Sequence, residues 1–264
     1  MTGNLCFSTL GCVDYTPGQV ISLAREYGIS SVEIRGLGGV LDNRRNPLFA
    51  PDAIDAAAAE FASAGIGVAC LGTSCAFHKP GGLAAALDEG TASAQIASRL
   101  GCPYIRVFGN KIASDLPRGA AVERVGKGIA DLAGRVSGSG VGVLLETHGD
   151  FTGIGTVGAV LEAASRDDVG MIWDVAHTER DTPGGWRDFL DTFFPLIKHV
   201  HFKDFVGGGA LCLPGEGILP LREIAAALAE RGYRGKISLE WEKKWHPELP
   251  SLESALLPFI HVLL

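Results

Sequence analysis

VGVLLETHGDFTGIGTVGAVLEAASRDDVGMIWD (141–174) is the stretch whose reading decides the fold. VGVLLE (141–146) is a short apolar run that ends in an acid. Residues 155–165 read as a helical run rich in small and aliphatic side chains. GMIWD (170–174) repeats the first pattern, apolar and again closed by an acid. Two such runs joined by a helix of this length predict parallel strands with a crossover connection.

The same alternation extends in both directions. Further strands are expected at 4–8 (NLCFS), 31–35 (SVEIR), 66–71 (IGVACL), 103–108 (PYIRVF), 198–202 (KHVHF) and 236–241 (KISLEW). Helical runs fall at 17–27, 51–64, 82–100, 119–136, 186–194, 220–231 and 251–264. Pro17, Pro51 and Pro220 suit first helical positions, and Gly28, Gly65, Gly101 and Gly232 suit positions just past helix ends. Eight strand–helix units in 264 residues, with no linker or low-complexity segment between them, predict an α/β fold: a single (β/α)8 TIM barrel domain spanning 1–264. An open doubly wound sheet is the alternative.

Composition agrees with a packed globular chain. Hydrophobic residues make up 47% and charged residues 20%, and 36 glycines without a regular period point to many tight loops. With 23 basic and 30 acidic residues, the net charge is −7, and no basic run exceeds two residues. That balance disfavours nucleic acid as a partner. No apolar stretch reaches membrane-spanning length, and MTGNLCFSTLGC (1–12) lacks the charged and apolar regions of a signal peptide. The six cysteines form no C-x-x-C pair and read as reduced structural thiols of a cytoplasmic protein.

Barrel strands are covered on both faces and should be apolar throughout, so polar residues at their C-terminal ends mark the functional face. Four consecutive strands supply Glu146, Asp174, His201 and Glu240. Three carboxylates and an imidazole brought together would repel strongly, and a divalent cation resolves that conflict. The donor set suits Mn²⁺ first, with Co²⁺, Mg²⁺ or Zn²⁺ as alternatives. His199 shares a face of its strand with His201 but lies further from the mouth. Glu33, His78, Lys203 and Trp241 are expected as substrate contacts from loops and strand ends, with structural roles for His78 and Trp241 equally open.

GIGTVG (153–158) has the spelling of a dinucleotide fingerprint, but residues 147–152 separate it from its strand. The glycines of a working fingerprint sit directly at the strand end. No phosphate-binding G-x-x-x-x-G-K-[ST] loop occurs.

LLETHGD (144–150), WDVAH (173–177), HVHFKD (199–204), LPGEG (213–217) and SLEWE (238–242) together resemble the xylose-isomerase-like TIM barrel superfamily of sugar phosphate isomerases and epimerases. The resemblance covers roughly residues 30 to 245. It implies Glu146, Asp174, His201 and Glu240 as ligands of one divalent metal ion, and Glu146 and Glu240 as the catalytic carboxylates. It further implies His177 as a substrate contact, with His148 and Lys203 facing the ligand in some branches. The substrate implied is a small sugar or sugar phosphate, with no nucleic acid or membrane partner, and homo-oligomers are common among such barrels. One carboxylate would remove a proton beside a carbonyl, giving an enediolate, and a second would return it. Loss of a β-hydroxyl from the same species gives a dehydratase or lyase of the inosose-dehydratase type, the alternative reading. A non-enzymatic metal- or sugar-binding subunit is the rival from another class. Ketose 3-epimerases carry an arginine shortly after the strand-7 histidine, and FVGGGA (205–210) has none. The extra metal ligands of the DNA-repair endonuclease branch are also missing from ALCLPGEG (210–217).

Overall fold

The computed structural model describes residues 2–264. The chain divides into two compact units, one made of residues up to Ala69 with His199–Leu264, the other of Cys70–Lys198.

The first unit carries β1 (Leu5–Ser8), α1 (Pro17–Glu26), β2 (Ser31–Ile34) and α2 (Ile54–Ser63) from the N-terminal part of the chain. Its four-stranded parallel ladder runs in the order β2-β1-β10-β7, where β7 is Ile197–Phe202 and β10 is Lys236–Leu239. The register sets Ser8 beside Glu33, and His199 and His201 beside Lys236 and Ser238. Helix α1 starts on a reciprocal cap: Thr16 Oγ1 accepts from the Gln19 amide and the Gln19 side chain accepts from the Thr16 amide, with Pro17 inside the first turn. Helices α8 (Leu221–Glu230) and α9 (Leu252–Leu263) complete the unit.

The second unit holds β3 (Gly67–Ala76, which begins in the first), α3 (Leu83–Arg99), β4 (Tyr104–Phe108), α4 (Arg118–Val136), β5 (Gly142–Glu146), α5 (Ile154–Ala164) and β6 (Val169–Asp174), then α6 (Val175–Asp181) and α7 (Trp186–Phe193). Strands β3 to β6 pair in parallel in sequence order. Cys70, Leu144 and Ile172 form a buried apolar cluster against which Tyr104 packs.

The expected elements recur with shifted ends. Gly28, Gly65, Gly101 and Gly232 follow α1, α2, α3 and α8 in left-handed conformation, as helix-ending glycines do. Pro51 and Pro220 fall outside the helices: α2 begins at Ile54, and Pro220 is the residue before α8. Strand β3 runs on to Ala76, pairing with Phe108 across a register shift. Gly153 precedes α5 and Gly155 and Gly158 lie inside it. No disulfide joins the cysteines; five are buried and Cys212 is half-buried. Burial pushes the thiols of Cys6 and Cys12 up to about 12. Among the described residues no helix is long and apolar enough to cross a membrane.

One loop has an unusual internal anchor. The fully buried Asp204 carboxylate accepts from the backbone amides of Phe205, Gly215, Gly217 and Leu219 at 2.9–3.2 Å. Between these contacts β8 (Asp204–Phe205) and β9 (Leu211–Cys212) form a short antiparallel pair. A Cβ at Gly217 would come within 2.1 Å of the Asp204 side chain, so only glycine fits there.

Candidate functional site

In the first unit a chain of buried polar side chains runs along the inner faces of the strands. Glu33 on β2 is 0% exposed. Its Oε2 accepts from His199 Nε2 at 3.0 Å and His201 Nε2 at 2.8 Å, and its Oε1 accepts from Ser8 Oγ at 3.4 Å. Burial alone would raise the Glu33 carboxyl, but the charge of His201 and the hydrogen bonds from both imidazoles outweigh it and hold the group well below the usual carboxylate range. The His201 ring turns its other nitrogen, Nδ1, toward Glu240, 3.5 Å from Oε1. Oε2 of Glu240 is held by Lys203 Nζ at 2.6 Å, and the same ammonium donates to Glu242. Lys203 is only 1% exposed, a buried cation satisfied by two carboxylates. Trp241 is fully buried and donates its indole N–H to the Pro250 carbonyl at 2.9 Å.

In the second unit Glu146 and Asp174 end neighbouring strands β5 and β6, both buried. Arg106, from β4, forms an ion pair with Glu146 Oε2 through Nη1 and donates from Nη2 to the Thr73 carbonyl at 3.1 Å. Its guanidinium lies 3.9 Å over the Phe108 ring. Asp174 caps α6: Oδ1 accepts from the His177 amide at 3.0 Å, while Thr147 Oγ1 accepts from the Asp174 amide at 2.8 Å. The imidazoles of His148 and His177 meet edge to face, ring centroids 4.6 Å apart, and Phe108 packs against His148 with its ring tilted, centroids 4.9 Å apart. His78, past the end of β3, is buried, and burial followed by the nearby Lys79 charge lowers its pKa.

His201, Glu240 and Lys203 thus meet directly in the first unit, with Glu33 on the far edge of His201. In the second unit His148 and His177 meet, and His177 Nε2 lies 3.8 Å from Asp174 Oδ2. Glu33, expected among substrate contacts, spends its carboxylate on Ser8 and two histidines. Arg106 was not among the expected site residues. Its signal was parity: Tyr104, Arg106 and Phe108 share one face of β4, and an arginine inside an apolar run needs a buried anion.

Comparison with known proteins adds a lineage. The family described as xylose isomerase-like TIM barrel matches residues 21–257. Inosose dehydratase of Serratia proteamaculans (strain 568) is 30% identical over 143 residues, 46% of this chain and 48% of that protein. The match spans about half the length of the curated relatives. Among solved structures, IOLI protein with a binding zinc atom has a TM-score of 0.81 at 18% identity, covering 98% of each chain. L-ribulose 3-epimerase has a TM-score of 0.78 at 16% identity, covering 98% of this chain and 94% of the other. The chain belongs to the xylose isomerase-like TIM barrel family, and its fold is the (β/α)8 barrel expected from the alternation.

Proposed function

We propose that the protein is a divalent-metal-dependent isomerase or epimerase of a small sugar or sugar phosphate. It would work in the cytoplasm, with the whole chain, 1–264, as one catalytic barrel domain. Glu146, Asp174, His201 and Glu240 are the proposed ligands, and Mn²⁺ is the ion their oxygen-rich donor set suits best. The observation that carries this reading is the facing pair His201 Nδ1 and Glu240 Oε1, buried and 3.5 Å apart. That is longer than an ordinary N–H···O hydrogen bond of about 2.7–3.2 Å and close to the roughly 3–3.4 Å that separates two donors held at about 2.1 Å on one ion. The residues therefore fit the ion. The zinc bound to the IOLI relative supports a divalent metal without fixing its identity.

A bound divalent ion would supply Lewis-acid stabilisation of the negative charge that builds on substrate oxygens. The remaining chemistry belongs to the side chains. Arg106 holds the Oε2 of Glu146 and Lys203 the Oε2 of Glu240, which orients both carboxylates, and Glu146 and Glu240 would move the proton. His148 and His177 would contact the substrate, as would Lys203 and His78 at longer range. A dehydratase reading is favoured by the matched inosose dehydratases, since loss of a β-hydroxyl needs the same first proton abstraction.

Metal analysis of the purified protein, followed by incubation with a panel of ketoses in D₂O, tests the proposal by NMR. Deuterium at the carbon beside the carbonyl, with the sugar skeleton intact, is expected. Water loss from the sugar replaces the reading by the dehydratase one. Bound metal without exchange or water loss overturns it in favour of a binding subunit. Glu240→Gln is expected to abolish turnover while the fold survives, and retained activity would remove Glu240 from the catalytic pair.

A further inference from the structure

The Glu33, His199 and His201 group could itself be read as three ligands of an ion, because donor atoms of all three lie close together. The spacing argues otherwise. Glu33 Oε2 lies 2.8 and 3.0 Å from the two imidazole nitrogens. These are hydrogen-bond lengths, at or below the closest approach of two donors on one metal ion. Both imidazoles therefore present Nε2–H to one carboxylate oxygen. The rings make this possible by standing nearly perpendicular, 87° apart with centroids at 5.3 Å.

The ladder explains why the contact is exact in direction. Strands β2 and β7 are separated by β1 and β10, so Glu33 cannot reach the histidines along the sheet and meets them across its inner face. Ser8, paired with Glu33 in register, donates to the second oxygen and fixes the carboxylate from behind. With its Nε2 proton committed to Glu33, His201 would give up only its Nδ1 proton on binding an ion, and the lone pair so exposed is on the nitrogen that faces Glu240.

We infer that Glu33 is a positioning residue, which locks His201 as the Nε2–H tautomer and aims Nδ1 at the divalent ion. This rests on the metal-binding reading of the previous section. His199 is the second donor that holds the carboxylate in place, and its own ring takes no part in ligation. Partners of this kind orient a metal-binding imidazole and raise its basicity; their loss typically costs about 10–100-fold in metal affinity.

The test uses the full chain, labelled with ¹⁵N-histidine and stripped of metal, together with Mn²⁺ and Zn²⁺ titrations against a competing chelator. Long-range ¹H–¹⁵N correlation is expected to show His201 protonated at Nε2 in the metal-free wild type; protonation at Nδ1 alone overturns the inference without any variant. Glu33→Gln keeps an acceptor oxygen and should retain the tautomer with a loss of about tenfold in affinity. Glu33→Ala removes the acceptor and should lose the tautomer preference with about a hundredfold loss. Circular dichroism and the melting transition report whether each variant folds; if Glu33→Ala does not, the wild-type spectrum and Glu33→Gln still decide. Wild-type affinity in folded Glu33→Ala, or two ions bound per chain, overturns the inference. Glu146→Gln is the control on the parent reading: unchanged affinity there means the four-ligand site is wrong and the inference falls with it. Lost affinity in Glu146→Gln beside unchanged affinity in Glu33→Ala leaves the site standing and removes only the role of Glu33.

Discussion

Two residues before its terminal acid, each of β5 and β6 carries an aliphatic side chain, Leu144 before Glu146 and Ile172 before Asp174. At the same offset β7 and β10 of the other unit carry His199 before His201 and Ser238 before Glu240. In the second unit these aliphatic side chains join Cys70 in a buried apolar cluster, an apolar floor. The first unit continues its polar groups downward into Glu33 and His199. An apolar floor is held by packing and fails by leaving a cavity. A polar floor is held by hydrogen bonds and fails by stranding a buried donor or acceptor. The difference separates two kinds of support two residues below a site side chain: aliphatic packing under Glu146 and Asp174, directional bonding beside His201.

Arg106 is the polar exception in the second unit, and removing it should have the largest effect. Arg106→Met leaves Glu146 buried without its cation and is expected to cost about 3–5 kcal/mol in urea denaturation; a cost below about 1 kcal/mol would mean the ion pair does not hold Glu146. Leu144→Ala opens a cavity in the apolar floor and should cost roughly 2–5 kcal/mol, measured the same way. His199→Leu tests the polar floor. It strands part of the Glu33 carboxylate and should cost about 1–3 kcal/mol, although the leucine is as apolar as the residues that serve the second unit well. If His199→Leu proves neutral, packing governs both units and the comparison breaks. The smallest effect is at the rim of the first unit, where Tyr15 donates its hydroxyl to Glu253. That hydrogen bond, with burial, pushes the Tyr15 hydroxyl up to about 12. A raised pKa means stability fully present below the unfolded value near 10 and lost as pH rises through about 12. Tyr15→Phe should therefore lose a small part of the stability at neutral pH and flatten the alkaline limb between those values, so that variant and wild type converge as pH rises through about 12.

The sequence made the strand–helix rhythm readable because each barrel strand is a compact, mainly apolar run and four helices are followed by a glycine. It hid α6, whose seven residues VAHTERD begin directly after Asp174 and show no apolar stripe; Asp174 itself is the cap that starts the helix. It also hid β8 and β9, two residues each and too short for any alternation to register. At the candidate site, Glu146 and Asp174 stood out because the strand residues before them are apolar or glycine. Arg106 was concealed by the opposite effect, a charged residue inside a run that reads as hydrophobic. The bond from Glu33 to His199 spans 166 positions, and only the folded ladder, not local spacing, reveals that Glu33 faces inward to meet it.

The Asp204 anchor has a consequence for how this protein can diversify. One carboxylate ties down both feet of the 204–219 strap, while the Val206–Ala210 tip closes on itself through its own backbone contact. The tip can therefore be lengthened, shortened or given new side chains without moving Lys203, the residue immediately before the anchor. Such a loop is an exchangeable fitting on a fixed mount, and new surface chemistry can be tried there while the buried Lys203–Glu240 ion pair stays in place.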